Sequence, residues 1–119
     1  MAQILVADSA NGARSEAGWS WNWDRAGQCT AAMLIEERIR AEFDRIRSGH
    51  PASAFLSSIG GPDPDRIADR LVARALEDFS RGRLLLIVDD RQLGSLDAPV
   101  SLDGPIEAVF LRLTPLKGG

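Results

Sequence analysis

Two apolar runs stand near opposite ends of the chain, QILVAD at residues 3–8 and EAVFLRL at residues 107–113. Each has the length of a strand and is apolar at both odd and even positions, a property of strands at the centre of a sheet. Pairing the two ends of the chain at a sheet centre leaves the middle of the sequence to supply the flanking strands and the cover. That middle contains two amphipathic helical patterns, so the expected class is α+β, a mixed sheet with helices on one face. At 119 residues and 12.9 kDa the chain has material for one core and not for two.

The intervening elements follow from local chemistry. Asn11-Gly12 is a turn signal, and beyond it Trp19, Trp21 and Trp23 alternate with Ser20 and Asn22 across residues 16–24. This period of two predicts a second strand, hairpin-paired with the first, that turns all three tryptophans to one face. That face is either core beneath a helix or an exposed stripe for a partner. Thr30 is placed to cap a helix in which Ile35, Ile39, Phe43 and Ile46 recur at helical spacing. Glu36 with Arg40, and Glu42 with Arg45, read as its solvated face. Gly49 and Pro51 stop this helix, and His50 is read as a loop residue beside its end. Residues 48–62 make a long connection with an apolar island at Ala54, Phe55, Leu56 and Ile59. Gly60-Gly61-Pro62 matches no phosphate-loop pattern, which excludes a nucleotide site there. Asp63-Pro64 starts a second helix carrying Ile67, Leu71, Val72, Ala75, Leu76 and Phe79, and Gly82 ends it. Residues 83–89 form a buried strand, residues 92–102 hold short extended pieces and turns, and Asp103-Gly104-Pro105 turns into the last strand.

Charge and composition narrow the function. Fourteen basic against seventeen acidic residues give a net charge of -3, so no general basic field exists to hold nucleic acid. No apolar run reaches the length of a membrane span, and no secretory leader is apparent, so a cytoplasmic location is expected. Cys29 is the only cysteine, which leaves no internal disulfide and no thiolate metal cluster. A Cys29–His50 couple is arithmetically available, but Cys29 is read as a passive thiol. Among the fourteen basic residues only Lys117 is a lysine, so side-chain amines are scarce.

From Leu84 onward the chain resembles the C-terminal half of ubiquitin-like proteins. The resemblance is carried by Gln92-Leu93, Leu96-Asp97-Ala98-Pro99, Asp103-Gly104, residues 108–113 (AVFLRL) and the ending Pro115-Leu116-Lys117-Gly118-Gly119. The strand and Gln-Leu turn are similar to ubiquitin, and the Asp-Gly and Pro-x-x-Gly-Gly portions to bacterial sulfur carriers of molybdenum cofactor and thiamine synthesis. The whole resembles bacterial ubiquitin-like proteins found beside activating and deconjugating enzymes, many in antiphage defence operons. The implied fold is a β-grasp domain over residues 1–119, with a loop-helix insertion at 48–82 and a flexible tail at 114–119.

The resemblance implies a carrier and substrate rather than an enzyme. Gly119 supplies a carboxylate that a partner adenylating enzyme activates with ATP, and Gly118 allows close approach in a narrow site. Pro115 stiffens the exit from the sheet and belongs with Arg112, Leu116 and Lys117 to the candidate tail-recognition residues, of which Arg112 and Lys117 would guide the tail by charge towards an acidic or phosphate-bearing surface. The protein itself holds no cofactor and no metal. Implied partners are the activating enzyme, a conjugating enzyme, a deconjugating metalloprotease and a target protein. A homo-oligomer, built through the 48–82 insertion or the tryptophan stripe, is a further expectation. Three alternatives remain open on the residues: a sulfur carrier ending in a thiocarboxylate, a β-grasp interaction module with an incidental Gly-Gly, and an enzyme using Asp89, Asp90 and Asp97 around a divalent ion.

Overall fold

The computed structural model describes residues 2–10, 13–14, 18–53, 55–56 and 68–113. Strand β1 (Ala2–Ala10) lies at the middle of a six-stranded mixed sheet. On one side it pairs antiparallel with β2 (Ala13–Arg14) and β3 (Trp19–Trp23). On the other it runs parallel to β8 (Ile106–Arg112), from Ile4 opposite Ile106 to Ala10 opposite Arg112. Beyond β8 come β5 (Leu84–Val88) and β6 (Arg91–Gln92), each antiparallel to its neighbour. The two apolar ends of the sequence therefore do meet at the sheet centre. A separate two-stranded ladder joins β4 (Gln28–Thr30) to β7 (Pro99–Ser101).

Helix α1 (Ala31–Arg47) begins where expected. Thr30 is extended, and its Oγ1 accepts a hydrogen bond of 3.2 Å from the Met33 N–H. The helix ends at Gly49, whose φ of +101° suits glycine, and the His50 N–H returns to the Arg45 carbonyl at 3.0 Å. The second helix, α2 (Ala68–Ser80), packs against α1 and β5 and stops before Gly82 at φ +75°. Its expected start at Asp63-Pro64, the Asn11-Gly12 turn, Ala54, Ile59, the Gly60-Gly61-Pro62 segment and Ile67 lie outside the described residues.

Ile4, Val6, Leu84, Leu86, Ala108 and Phe110 on one sheet face share a buried cluster with Leu34, Ile35 and Ile39 of α1 and Leu71 and Ala75 of α2. Phe55 and Leu56 of the apolar island join it, with the Phe55 and Phe110 rings 5.5 Å apart. Full burial of side chains of this size contributes roughly 1.5–3 kcal/mol each. The opposite sheet face corrects the reading of β1 as apolar and buried on both sides. Leu5 is 43% exposed, and Leu85, Ile87, Val109 and Leu111 are only partly buried and stand outside the core cluster. The strand is central by its pairing, yet covered by helices on one face only.

Two backbone details shape the hairpins. Val6 pairs with Trp19 but Ser9 with Arg14, so the returning chain holds two more residues than β1 between these pairs. Gly18 sits there with the Val6 carbonyl oxygen 2.2 Å from where a Cβ would stand, a contact no side chain tolerates without backbone movement. Between β5 and β6, Asp89 and Asp90 have φ of +48° and +68° and form a two-residue turn of the type that wants glycine or asparagine. Asp89 is tied to β8 in both directions: its Oδ1 accepts from the Glu107 N–H and its N–H donates to the Glu107 carbonyl, each at 3.0 Å. Asp90→Gly is therefore expected to raise stability by about 0.5 kcal/mol, relief of the left-handed backbone slightly exceeding the entropy added to the unfolded chain. A rise in the urea midpoint checks this, and a fall contradicts it.

Candidate functional site

Strand β8 delivers the chain to its C-terminal segment, and the root of that segment is the best-defined part of the candidate site. Arg112 pairs across the ladder with Leu84, and the Leu113 N–H donates to the Arg83 carbonyl at 2.9 Å. The Arg112 guanidinium does not project into solvent. Its Nη1 donates to Oδ2 of Asp78, a carboxylate on α2 with 2% of its side chain accessible. Arg83 Nη1 stands 3.8 Å from the other oxygen, and the Arg83 N–H donates to the Asp78 carbonyl at 2.8 Å. The expectation that Arg112 guides the tail electrostatically thus meets a residue already held by an internal acid. Pro115, Leu116, Lys117, Gly118 and Gly119 lie outside the described residues.

The three tryptophans do share one face of β3, opposite Val6, Ile4 and Ala2. They are half-buried at the rim of the core and neither a sealed interior nor a bare stripe. Trp19 and Trp21 are tilted rings 5.2 Å apart, and the Arg45 guanidinium of α1 covers Trp19 at 4.5 Å from the ring centre. Trp21, Glu37, Asp44, Arg45 and His50 line a surface cleft of about 310 Å³ between β3 and the end of α1.

Burial raises the pKa of the Glu37 carboxyl above its ordinary value. The Trp21 indole N–H pulls the other way, although its Nε1 is buried without a partner at hydrogen-bond geometry, so desolvation is the larger effect. Asp44 and Glu36 add to the rise, and Arg40 opposes it. A pKa raised by folding means that the folded state holds this proton more tightly, so the contribution to stability is present below the unfolded value and lost as pH rises through the folded one. Glu37→Gln is accordingly expected to melt higher than the parent at about pH 7 and level with it at about pH 4. Paired thermal melts at the two pH values test this; a lower Tm for the variant at the higher pH contradicts it.

The largest correction concerns the charged residues of α1. Glu36 and Arg40 form the expected outer pair at 2.9 Å, and Arg40 also reaches Asp69 of α2 at 2.7 Å. Glu42, read as solvated, is instead 1% exposed, and Arg38 is wholly buried. Arg38 Nη1 and Nη2 grip both oxygens of Asp8 on β1 at 2.7 and 2.8 Å, and Nη2 also donates to Glu42 Oε1 at 2.9 Å. Glu42 in turn accepts from the Ser53 N–H at 2.7 Å and hydroxyl at 2.9 Å, which fastens the connection after α1. The guanidinium is flanked by Phe55 and Phe110, 4.1 and 4.8 Å from their ring centres. These bonds make the cluster a joint between β1, α1 and the 48–82 segment.

Cys29 is buried on β4 opposite Val100, and desolvation pushes its thiol pKa up against a smaller lowering by Arg25, whereas His50 is exposed at the end of α1. Asp89 and Asp90 form a hairpin turn. Among the described residues no group of three or more His, Cys, Asp or Glu side chains is placed to hold a metal, and no helix is long and apolar enough to cross a membrane. No family model, curated protein or solved structure matches the chain. The class supported is a small α+β domain with a mixed sheet packed by two helices.

Proposed function

We propose that this protein is a ubiquitin-like modifier with a β-grasp core, whose Gly118-Gly119 carboxylate is activated by a partner enzyme and transferred to a target. The observation that carries the reading is the parallel pairing of β1 with β8 at the sheet centre, with β3 and β5 antiparallel on either side and α1 between them in sequence. That is the strand arrangement the β-grasp reading requires, and it makes the strand that precedes the C-terminal segment a central one.

The chemistry follows from the tail. A carboxylate is a poor acyl donor, and attack of a Gly119 carboxylate oxygen on the α-phosphorus of ATP, with loss of pyrophosphate, makes it a mixed anhydride. A cysteine thiol on the partner then displaces AMP to give a thioester, and a target amine displaces the thiol to leave an amide. Two glycines suit passage through a narrow channel because neither carries a side chain and both adopt backbone angles closed to other residues. The scarcity of lysine fits a chain that is attached to other proteins rather than to itself. In a bacterial cell this function belongs to a conjugation system of the kind found in antiphage defence.

Intact mass after incubation of the full chain with ATP, a sulfur donor and a ubiquitin-type activating enzyme, together with the conjugating enzyme and an extract of the same cells as the source of target amines, tests the proposal. A protein-sized adduct that survives thiol treatment is the expected product. A gain equal to one oxygen replaced by sulfur assigns the chain to sulfur transfer instead, and an unchanged mass contradicts both acyl-donor chemistries.

A further inference from the structure

We infer that Asp78, supplied by the segment between α1 and β5, is a positioning residue for acyl transfer: it fixes the root of the tail by holding Arg112 and Arg83. The inference rests on the acyl-donor reading for its purpose and on the structure for its geometry. The other buried residues of α2 are Leu71, Val72 and Ala75, so Asp78 is a carboxylate set in an otherwise apolar face. Burying such a group costs several kcal/mol unless a partner compensates, and the compensation here comes from the end of β8. Two links reach the last two described residues, Asp78 to Arg112 and the Arg83 carbonyl to the Leu113 N–H, and a third, Asp78 to Arg83, joins them. The ladder pair of Leu84 with Arg112 closes the same corner. With only 17% of its side chain accessible, Arg112 serves the tail by being held and not by being read.

The use of such an anchor is entropic. A partner that draws Gly119 into its site must order the intervening chain, and every residue fixed beforehand is one whose freedom is not lost on binding. Releasing Arg112 and Leu113 adds their freedom to what the partner must order on binding. The carboxylate that reacts is unchanged, so the effect falls on binding and not on the chemical step.

Amide ¹⁵N relaxation on the full chain, parent against Asp78→Asn, tests the geometry without any partner. The parent is expected to keep Leu113 at the order parameter of rigid backbone, about 0.85, and the variant to drop it below about 0.6 with β1 and α1 unchanged. Asp78→Glu is expected to restore rigidity in part. If Asp78→Asn fails to fold, Arg112→Gln carries the same expectation from the strand side. Loosening of α2 with Leu113 still rigid overturns the inference, because Asp78 then only packs its own helix. In pyrophosphate exchange with the activating enzyme, KM for the variant chain rises about tenfold with kcat unchanged, the cost of ordering about one further residue. Exchange in the parent with an unaltered KM in the variant overturns the positioning role alone. Absence of exchange in the parent overturns the acyl-donor reading while the relaxation result stands.

Discussion

Arg38→Met is expected to remove about 3–5 kcal/mol of folding stability, a large share of what a domain of this size possesses. The side chain is fully buried and binds Asp8, Glu42 and Ser53 at once, so its loss strips a buried glutamate of its cation and costs three elements their joint. The carboxylates also become like charges in a poorly solvated space once the guanidinium is gone. Arg38→Lys is expected to recover little, since an ammonium cannot present two parallel donors to Asp8 and a third to Glu42. Adding Glu42→Leu to Arg38→Met is expected to return a substantial share, because Asp8 retains 14% accessibility while Glu42 has almost none. Urea unfolding of the four chains measures this. A loss below about 1 kcal/mol for Arg38→Met, or no recovery in the double variant, contradicts the view of the cluster as a buried charge joint.

How much of this was legible in the sequence depended on whether the cause was local. The strands around Ile4, Trp21, Leu86 and Phe110, the Thr30 cap and the Gly49 and Gly82 stops were all readable, because periodicity and capping act within a few residues. Arg38 and Glu42 were missed although their positions lie on the same helical stripe as Leu34, Ile35 and Ile39. A charge is ordinarily evidence for solvent, and the partner that reverses this, Asp8, is thirty residues away in sequence and is brought close only by the sheet. Asp78 was hidden for the same reason, its partner Arg112 being on the last strand. The β4–β7 ladder is three residues long and too short for a pattern. The exposure of Leu5 is a property of which sheet face the helices cover, which no alternation within β1 states. For the candidate site, Arg112 was named for tail recognition from its place at the end of the last strand, while its ion pair with the buried Asp78 left no local trace in the sequence. The assignments of Pro115, Leu116, Lys117, Gly118 and Gly119 continue to rest on residue chemistry.

Removing Gly118 and Gly119 is expected to have the largest effect on activity. The acyl-donor account gives these residues the reacting carboxylate and the unhindered approach to it, and placement of reacting groups within a site is worth far more than a thousandfold in rate. The truncated chain still ends in a carboxylate, that of Lys117, so the loss reads placement and not the mere absence of a carboxyl group. Folding is expected to be untouched, because the described core ends before this segment. Gly118→Val, which keeps length and carboxylate but adds a branched side chain, is expected to approach the truncated chain in effect. The deciding measurement is ATP–pyrophosphate exchange by the activating enzyme with the full chain and with the chain ending at Lys117, both shown folded by circular dichroism. Exchange with the full chain and a fall of at least about a thousandfold with the truncated one is the predicted result; equal exchange with the two chains would contradict the account.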